Sequence, residues 1–267
     1  MENNESILYN TNAAYLSLAL FLGMLLFLWL GSVVGHKLRK SEDDENNPIN
    51  TTIVAAVLGL FAFLLAFTFN MSGNRYESRR LNNINEANSV STAILRANLY
   101  SKQQRDSFRV DFKEYTMARI NYFKADGDLK AMQKAGQDAQ TFAARLWTRA
   151  TVNAINNAPG LYPSNFMVPA LNNMMDSANY NNNVEKLRVP DLIILLLLTL
   201  SLICAFFLGY YSIRKGWFNE TIAVGFCLLS ALVIYTTLDL DRSRTGLIRH
   251  HTSQQSVSDL MELFENP

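Results

Sequence analysis

The chain has 267 residues, of which 49% are hydrophobic and 18% charged, and its formal net charge is +1. A net charge this close to zero gives no electrostatic basis for binding nucleic acid. The hydrophobic residues are concentrated in four blocks with the charged residues between them. This distribution argues against a wholly soluble protein and is typical of an integral membrane protein.

The four hydrophobic blocks predict four transmembrane helices, at residues 13–34, 52–70, 191–211 and 218–238. A helix needs about 20 apolar residues to cross the hydrocarbon core of a bilayer. No Asp, Glu, Lys, Arg or His lies in the middle of any block, where a charge would cost about 2.5–3.5 kcal/mol. Residues 1–12 contain no Lys or Arg, so the first block is predicted to be a retained span and not a signal peptide.

The segment between the second and third spans, residues 71–190, predicts a helical water-soluble domain. No proline occurs from Thr52 to about Tyr122, so the second span is expected to continue as a long helix that bends near Gly73 or Lys102. Two further helices are predicted over 128–157 and 164–187, and no segment shows a strand pattern. Residues 239–267 read as a polar C-terminal tail. The predicted fold class is therefore all-α, with four transmembrane helices and an inserted helical domain.

The distribution of basic residues near the ends of the spans predicts the orientation in the membrane. One side carries five such residues and the other carries eight: Lys37, Arg39, Lys40, Arg214 and Lys215, against Arg75, Arg79, Arg80, Lys186, Arg188, Arg242, Arg244 and Arg249. Because Lys and Arg near span ends favour the cytoplasmic side, the soluble domain and both termini are expected there.

The sequence contains no motif of an enzyme. Gly-rich phosphate loops, zinc-binding His-Glu-x-x-His and the Gly-x-Ser-x-Gly nucleophile motif do not occur in it. Cys204 and Cys227 lie in the third and fourth spans and are interpreted as small buried hydrophobic residues. Glu77 and Glu86 lie on a charged helix and are expected to form ordinary salt bridges. We therefore predict no catalytic residue, no metal site and no cofactor.

The second span carries a glycine and two aromatic residues at helical spacing. Gly59, Phe63 and Phe67 are four residues apart, so they share one face of the helix. One interpretation is a packing or lipid-facing aromatic stripe. The other is a hydrophobic constriction, formed where rings from several subunits meet on an axis and gate by dewetting. The polar residues that follow, first Asn70 and Asn74, would then line the pore.

The polar residues continue along the extension of this helix, with Asn85, Asn88, Thr92 and Asn98, while Leu81, Ile84, Leu95 and Leu99 are expected to supply a separate face for packing. Asn and Thr at such positions suit hydrogen bonding between helices or a wet interface. They motivate the prediction of a symmetric homo-oligomer.

Charged residues lie where the second and fourth spans end on the same side. They are Arg75, Arg79 and Arg80 after the second span and Asp239, Asp241 and Arg242 after the fourth. We predict an interfacial cluster of ion pairs that holds the second helix to the fourth.

The segment from Phe63 to Arg80 resembles the second-helix motif of bestrophins. Its Asn70-x-Ser72 and Asn74-Arg75-Tyr76-Glu77 parts are similar to the Asn-x-x-Ser and Asp-Arg-aromatic parts of that motif, with a one-residue shift at Glu77. Across nearly the whole chain the sequence is similar to a family of bacterial membrane proteins described as bestrophin-like. The marks of that family include Glu86-Ala87-Asn88 and the segment Leu238 to Arg242.

This resemblance implies a pentameric ion channel with a hydrophobic neck on its second helix. Bestrophins also have a cytosolic helical domain, which here corresponds to residues 71–190. By position, Gly59, Phe63 and Phe67 would form the neck, although a bulky residue is usual where Gly59 stands. The implied partners are the lipid bilayer, small ions and further copies of the chain, and the implied location is a bacterial inner membrane.

Two alternatives to a channel remain open from the residues alone. One is a non-conducting membrane scaffold or sensor whose helical domain docks a partner. The other is a stator-type component of a proton-driven motor, which also has four spans with a large domain between the second and third. That class depends on a partner protein bearing an intramembrane carboxylate.

Overall fold

The computed structural model describes residues 11–38, 48–125, 128–156, 163–185, 187–212, 217–242 and 251–265, and the turns expected between helices near 126 and 213 lie outside them. Within these ranges the chain is helical and contains no strand, so the predicted all-α class is confirmed. The chain forms two compact units. A membrane unit comprises Met1–Arg75 and Arg188–Arg242, and a soluble unit comprises Tyr76–Leu187 and Ser243–Pro267.

In the described part of the chain, four helices are long and apolar enough to cross a membrane. Helix α1 covers Ala13–Leu38, and α2 covers Pro48–Arg96 and continues from the membrane unit into the soluble unit. Helix α6 covers Asp191–Ser212 and α7 covers Trp217–Asp241. The boundary predicted at residue 70 therefore falls inside α2, whose 49 residues run without interruption past Gly73.

Helices α1 and α6 approach each other so closely that two glycines are required at the contact. A Cβ atom added to Gly31 would lie 2.1 Å from the carbonyl oxygen of Phe206, and one added to Gly209 would lie 1.9 Å from that of Leu28. Real side chains cannot approach backbone atoms this closely. Small residues at such crossings allow transmembrane helices to pack backbone to backbone.

Substituting Gly209 with Ala is expected to separate α1 from α6 and destabilise the membrane unit. Overpacking a tight contact costs about 1–3 kcal/mol, and more where the obstacle is backbone, as it is here. The measurement is the thermal midpoint of the purified protein in detergent. Gly225→Ala is the matched control, because nothing lies within 4 Å of a Cβ atom at this position of α7. Equal midpoints for the two variants would contradict the close approach.

The soluble unit contains the last part of α2 and three further long helices. A 3-10 turn at Ala97–Leu99 ends α2, and the extended backbone of Tyr100 separates it from α3, Lys102–Lys124. Helix α4 covers Leu129–Asn156 and α5 covers Pro163–Val184. The Asp128 carboxylate accepts hydrogen bonds from the amides of Lys130 and Ala131 and caps the start of α4.

The C-terminal segment is part of the soluble unit. Helix α8, His251–Ser258, leads through a 3-10 turn to α9, Glu262–Glu265. The side chains of Val257 and Leu260 are buried in the main core of this unit. The Arg109 guanidinium donates a 2.9 Å hydrogen bond to the Leu263 carbonyl. The end of the region predicted as a polar tail thus packs on the helical domain.

Candidate pore-lining site

Helix α2 packs through one face only within each unit of the chain. In the membrane unit this face carries Phe61, Thr68 and Ser72, which are at most 2% exposed. The Phe61 ring contacts that of Phe226 on α7, with centroids 5.9 Å apart. The Thr68 hydroxyl donates to the carbonyls of Leu64 and Leu65, so its hydrogen bonds are made within its own helix. The other side of the helix is left uncovered by the parts of the chain that the structure describes.

The predicted neck residues lie on the uncovered side. Phe63 is 69% exposed and Phe67 is 53% exposed, while Gly59 is also exposed. A Cβ atom at Gly59 would meet nothing within 4 Å. At 100° per residue, these three positions lie on the side of the helix opposite the packing face of Phe61 and Thr68. The described helices of this chain therefore do not bury the aromatic stripe.

Asn70 and Asn74 continue the same exposed face one and two turns further along. The Asn74 side-chain amide donates a 2.9 Å hydrogen bond to the Asn70 side-chain oxygen. This bond leaves one amide nitrogen and one carbonyl oxygen of the pair available for water, ions or another subunit. The face therefore changes from aromatic to amide within the membrane unit, without any charged group between Gly59 and Asn74.

The exposed face extends through the soluble part of α2. Positions three or four residues apart, all exposed, are occupied by Glu77, Leu81, Asn85, Asn88, Thr92, Leu95 and Leu99. The leucines among them are about half exposed. Leu81, Leu95 and Leu99 were expected to form a separate packing face, but they share the face of the asparagines. In the membrane unit, lipid can cover exposed apolar residues. These three leucines lie in the soluble unit, so their exposure requires another explanation.

The charged residues at the ends of the spans form local contacts in each unit. In the membrane unit, the Asp241 carboxylate accepts a 3.0 Å hydrogen bond from the Val189 amide and lies 4.0 Å from the Arg75 guanidinium. In the soluble unit, Arg79 is buried and donates a 3.2 Å hydrogen bond to the Leu187 carbonyl. Arg80 pairs with the exposed Glu77 three residues earlier on the same helix, at 3.1 Å.

Asp239 and Arg242, the other members of the predicted cluster, are buried at the end of α7. The backbone amide of Arg242 donates a 3.2 Å hydrogen bond to the Asp239 carbonyl oxygen and closes the last turn. In the membrane unit, Arg75 and Asp241 thus form one ion pair between the second and fourth helices. The role of the whole set as an interfacial clamp stays a prediction.

Glu86 forms the salt bridge that the sequence suggested, but the pair, with Arg119 of α3, is buried. Glu86 is fully buried in the soluble unit, where both of its carboxylate oxygens accept hydrogen bonds from Arg119. The Glu86 carboxylate also accepts a 2.7 Å bond from the side-chain amide of Asn181, which donates to Asn83 as well. Helical periodicity in the sequence indicates this burial, because Glu86 falls on the same face of α2 as Arg79, Asn83 and Val90.

Comparison with known proteins agrees with this architecture. Residues 18–249 match the Bestrophin-like domain family. The chain belongs to the bestrophin-like family. No curated protein matches its sequence. Two solved structures share the fold of this bestrophin-like chain, each with a TM-score of 0.66 at 10% sequence identity.

The first of these structures is a single-residue variant of a bacterial bestrophin homologue from Klebsiella pneumoniae. The second is described as a membrane protein variant. In each case the match covers 91% of the bestrophin-like chain and 98% of the solved chain. At 10% identity these matches establish the fold of the chain.

Proposed function

We propose that the bestrophin-like chain is a subunit of a homo-oligomeric ion channel in a bacterial inner membrane. The observation that carries the proposal is the continuous exposed face of α2, from Gly59 to Leu99. Within the membrane unit this face is apolar and then amide-rich, and its apolar residues continue in the soluble unit, where lipid cannot cover them. If several copies of the chain place this face around a common axis, the exposed apolar residues of α2 in the membrane unit and in the soluble unit are both explained.

In the proposed assembly, Phe63 and Phe67 from each copy form two stacked aromatic rings around the axis. The rings constitute a hydrophobic neck, which closes to ions when the space between them dewets. Gly59 gives a wider level one turn away. Asn70 and Asn74 offer carbonyl and amide dipoles to ions that pass the neck. The resemblance to bestrophins, which are pentamers, supports five copies, with the soluble unit and both termini in the cytoplasm.

The absence of fixed charge between Gly59 and Asn74 bears on selectivity. An uncharged aromatic ring discriminates weakly between small ions. Discrimination is therefore assigned to polar and charged groups further along the face, beginning with Asn70 and Asn74 and followed by Glu77. Because Glu77 is paired with Arg80 on the same helix, the field of its carboxylate along the proposed axis is reduced.

Cysteine modification tests the proposal. In a background lacking Cys204 and Cys227, Asn74→Cys is reconstituted into liposomes and treated with a cationic methanethiosulfonate reagent. We expect modification to change passive ion flux by at least about tenfold, since it places a charged group beside the path of the ions.

Leu229→Cys on α7 is the matched control. Leu229 is 65% exposed, but it lies on α7, which carries none of the proposed pore-lining residues. Its modification should leave flux unchanged. Two results would reject the proposed pore. One is a purified protein that is monomeric by native mass measurement, and the other is an Asn74→Cys variant whose ion flux does not change on treatment with the reagent.

A further inference from the structure

A cavity of about 500 Å³ in the soluble unit is not used by the proposed pore. It lies between α3, α4 and α5, away from the exposed face of α2. Its volume is within the range of about 300–1,000 Å³ that small-molecule sites occupy. Because it belongs to the soluble unit alone, what it binds is independent of whether the chain conducts ions.

The walls of the cavity are mostly apolar and consist largely of small residues. Gly136, Ala139, Ala143 and Ala144 of α4 form one side, at helical spacing, and Trp147 follows on the same helix. The small side chains create the space, and the half-buried indole provides a flat aromatic surface beside it. Alanine is depleted in protein–protein interfaces, where aromatic and long side chains fill the contact. This lining therefore favours a small molecule over a second protein chain.

The buried end of the cavity presents hydrogen-bond donors. Arg119 is 1% exposed and uses three of its N–H groups on Glu86 and Asn182. The side-chain oxygen of Asn182 accepts a 3.1 Å hydrogen bond from Arg119. The Asn182 amide nitrogen points away from this bond and can donate to another group. The pairing with Glu86 also neutralises the Arg119 charge. The end of the cavity is consequently rich in donors but electrically neutral.

Tyr115 supplies a further buried donor among the residues that line the cavity. It is 2% exposed, and its hydroxyl has no hydrogen-bond partner in the described part of the chain. Leaving a buried hydroxyl without a partner is destabilising, so it indicates a group that a ligand or water satisfies. Burial and the nearby Glu86 carboxylate raise the pKa of Tyr115 well above its usual value, which keeps the hydroxyl protonated at neutral pH.

We propose that this cavity binds a neutral, planar aromatic molecule that carries a carbonyl acceptor. The ring would lie along the small residues of α4 beside Trp147. The carbonyl would face the donor end formed by Tyr115, Arg119 and Asn182. Because Glu86 neutralises the Arg119 charge, a carboxylate in the same place would have no free positive charge to pair with, which disfavours an anionic ligand.

Fluorescence of Trp147 provides a direct test with 1,8-naphthalimide, a neutral planar molecule with two carbonyls. The full chain carries Trp29→Phe and Trp217→Phe, which leaves Trp147 as its only tryptophan. We expect saturable quenching with one probe bound per chain. Acenaphthene, which has a similar fused ring system without carbonyls, should require at least tenfold higher concentration for half-maximal quenching.

Variants locate the binding. Ala144→Leu fills the mouth of the cavity from an exposed position and should raise the half-quenching concentration at least tenfold. Ala131→Leu, also exposed on α4 but outside the cavity, should leave that concentration unchanged. Asn182→Leu should weaken naphthalimide binding more than acenaphthene binding. Native mass measurement of each variant shows whether assembly is retained.

Three outcomes would overturn the proposal. Equal binding of naphthalimide by the Ala144→Leu and Ala131→Leu variants would exclude the cavity as the site. Equal binding of naphthalimide and acenaphthene would exclude recognition of a carbonyl. Loss of oligomer in Ala144→Leu without quenching of the parent protein would identify the cavity as a contact between copies of the chain.

Discussion

Replacing both Phe63 and Phe67 with alanine is expected to raise passive ion flux through reconstituted liposomes at least about tenfold, since it removes both proposed aromatic rings and allows water to fill the neck. Both side chains are more than half exposed in the chain, so their truncation leaves its internal packing intact. The oligomer should therefore retain its native mass. The measurement is a fluorescence assay of halide or alkali-cation flux, normalised to reconstituted protein.

Two further phenylalanines on α2 serve as controls. Phe69 is 43% exposed but lies off the face of Phe63 and Phe67, so Phe69→Ala should leave flux unchanged. Phe61 is buried against Phe226, and Phe61→Ala should cost about 3–5 kcal/mol of stability through the cavity it creates. If the Phe63–Phe67 double variant behaves like Phe61→Ala, with a damaged oligomer and unchanged flux, the aromatic stripe is a packing surface.

Replacing Arg119 with methionine is expected to lower the stability of the soluble unit by about 3–5 kcal/mol, because Glu86 would remain buried without its partner. Glu86 is completely buried, and Arg119 additionally lies over the rings of Tyr122 and Phe123 at 4.7 and 5.0 Å. The methionine fills most of the volume of the aliphatic stem but compensates no charge. Denaturant unfolding followed by Trp147 fluorescence measures the change.

The exposed pair of Glu77 and Arg80 is the matched comparison. Both of these side chains are nearly half exposed, so Arg80→Met should change stability by no more than about 1 kcal/mol. Removing both buried charges, with Glu86→Gln and Arg119→Met, should recover part of the lost stability. Recovery stays incomplete because the neutral side chain at this position remains buried without the hydrogen bonds that Arg119 donated. An Arg119→Met variant as stable as Arg80→Met would show that the buried pair contributes nothing.

The sequence was sufficient for the fold class, and the reason is the physics of the bilayer. Hydrocarbon excludes charge and requires every backbone group to be hydrogen-bonded within the segment, so an apolar block of about 20 residues has essentially one structure. The predicted helical class, the four membrane-spanning helices and the similarity to the bestrophin-like family are confirmed. The uninterrupted helix past residue 70 likewise follows from a long segment without proline.

Sequence periodicity could identify faces of α2 but not which neighbour covers each face. Leu81, Leu95 and Leu99 looked like packing residues, although they are exposed beside Asn85 and Asn88. Periodicity places residues on a common side of a helix, whereas burial depends on which other helices reach that side. The apolar content of a face is therefore compatible with a core, a lipid contact or an axis between subunits.

Only the tertiary structure decided the contacts between segments distant in sequence. The partner of Glu86 is 33 residues away, and the contact of Gly31 with α6 joins positions more than 170 residues apart. No local signal specifies such pairs, because they depend on how whole helices pack. The sequence by itself determined the helices and their membrane-spanning segments. The tertiary structure decided that α2 buries Phe61 and Glu86 and leaves Phe63, Phe67 and Leu95 exposed, because only packed neighbours determine which side of a helix is covered.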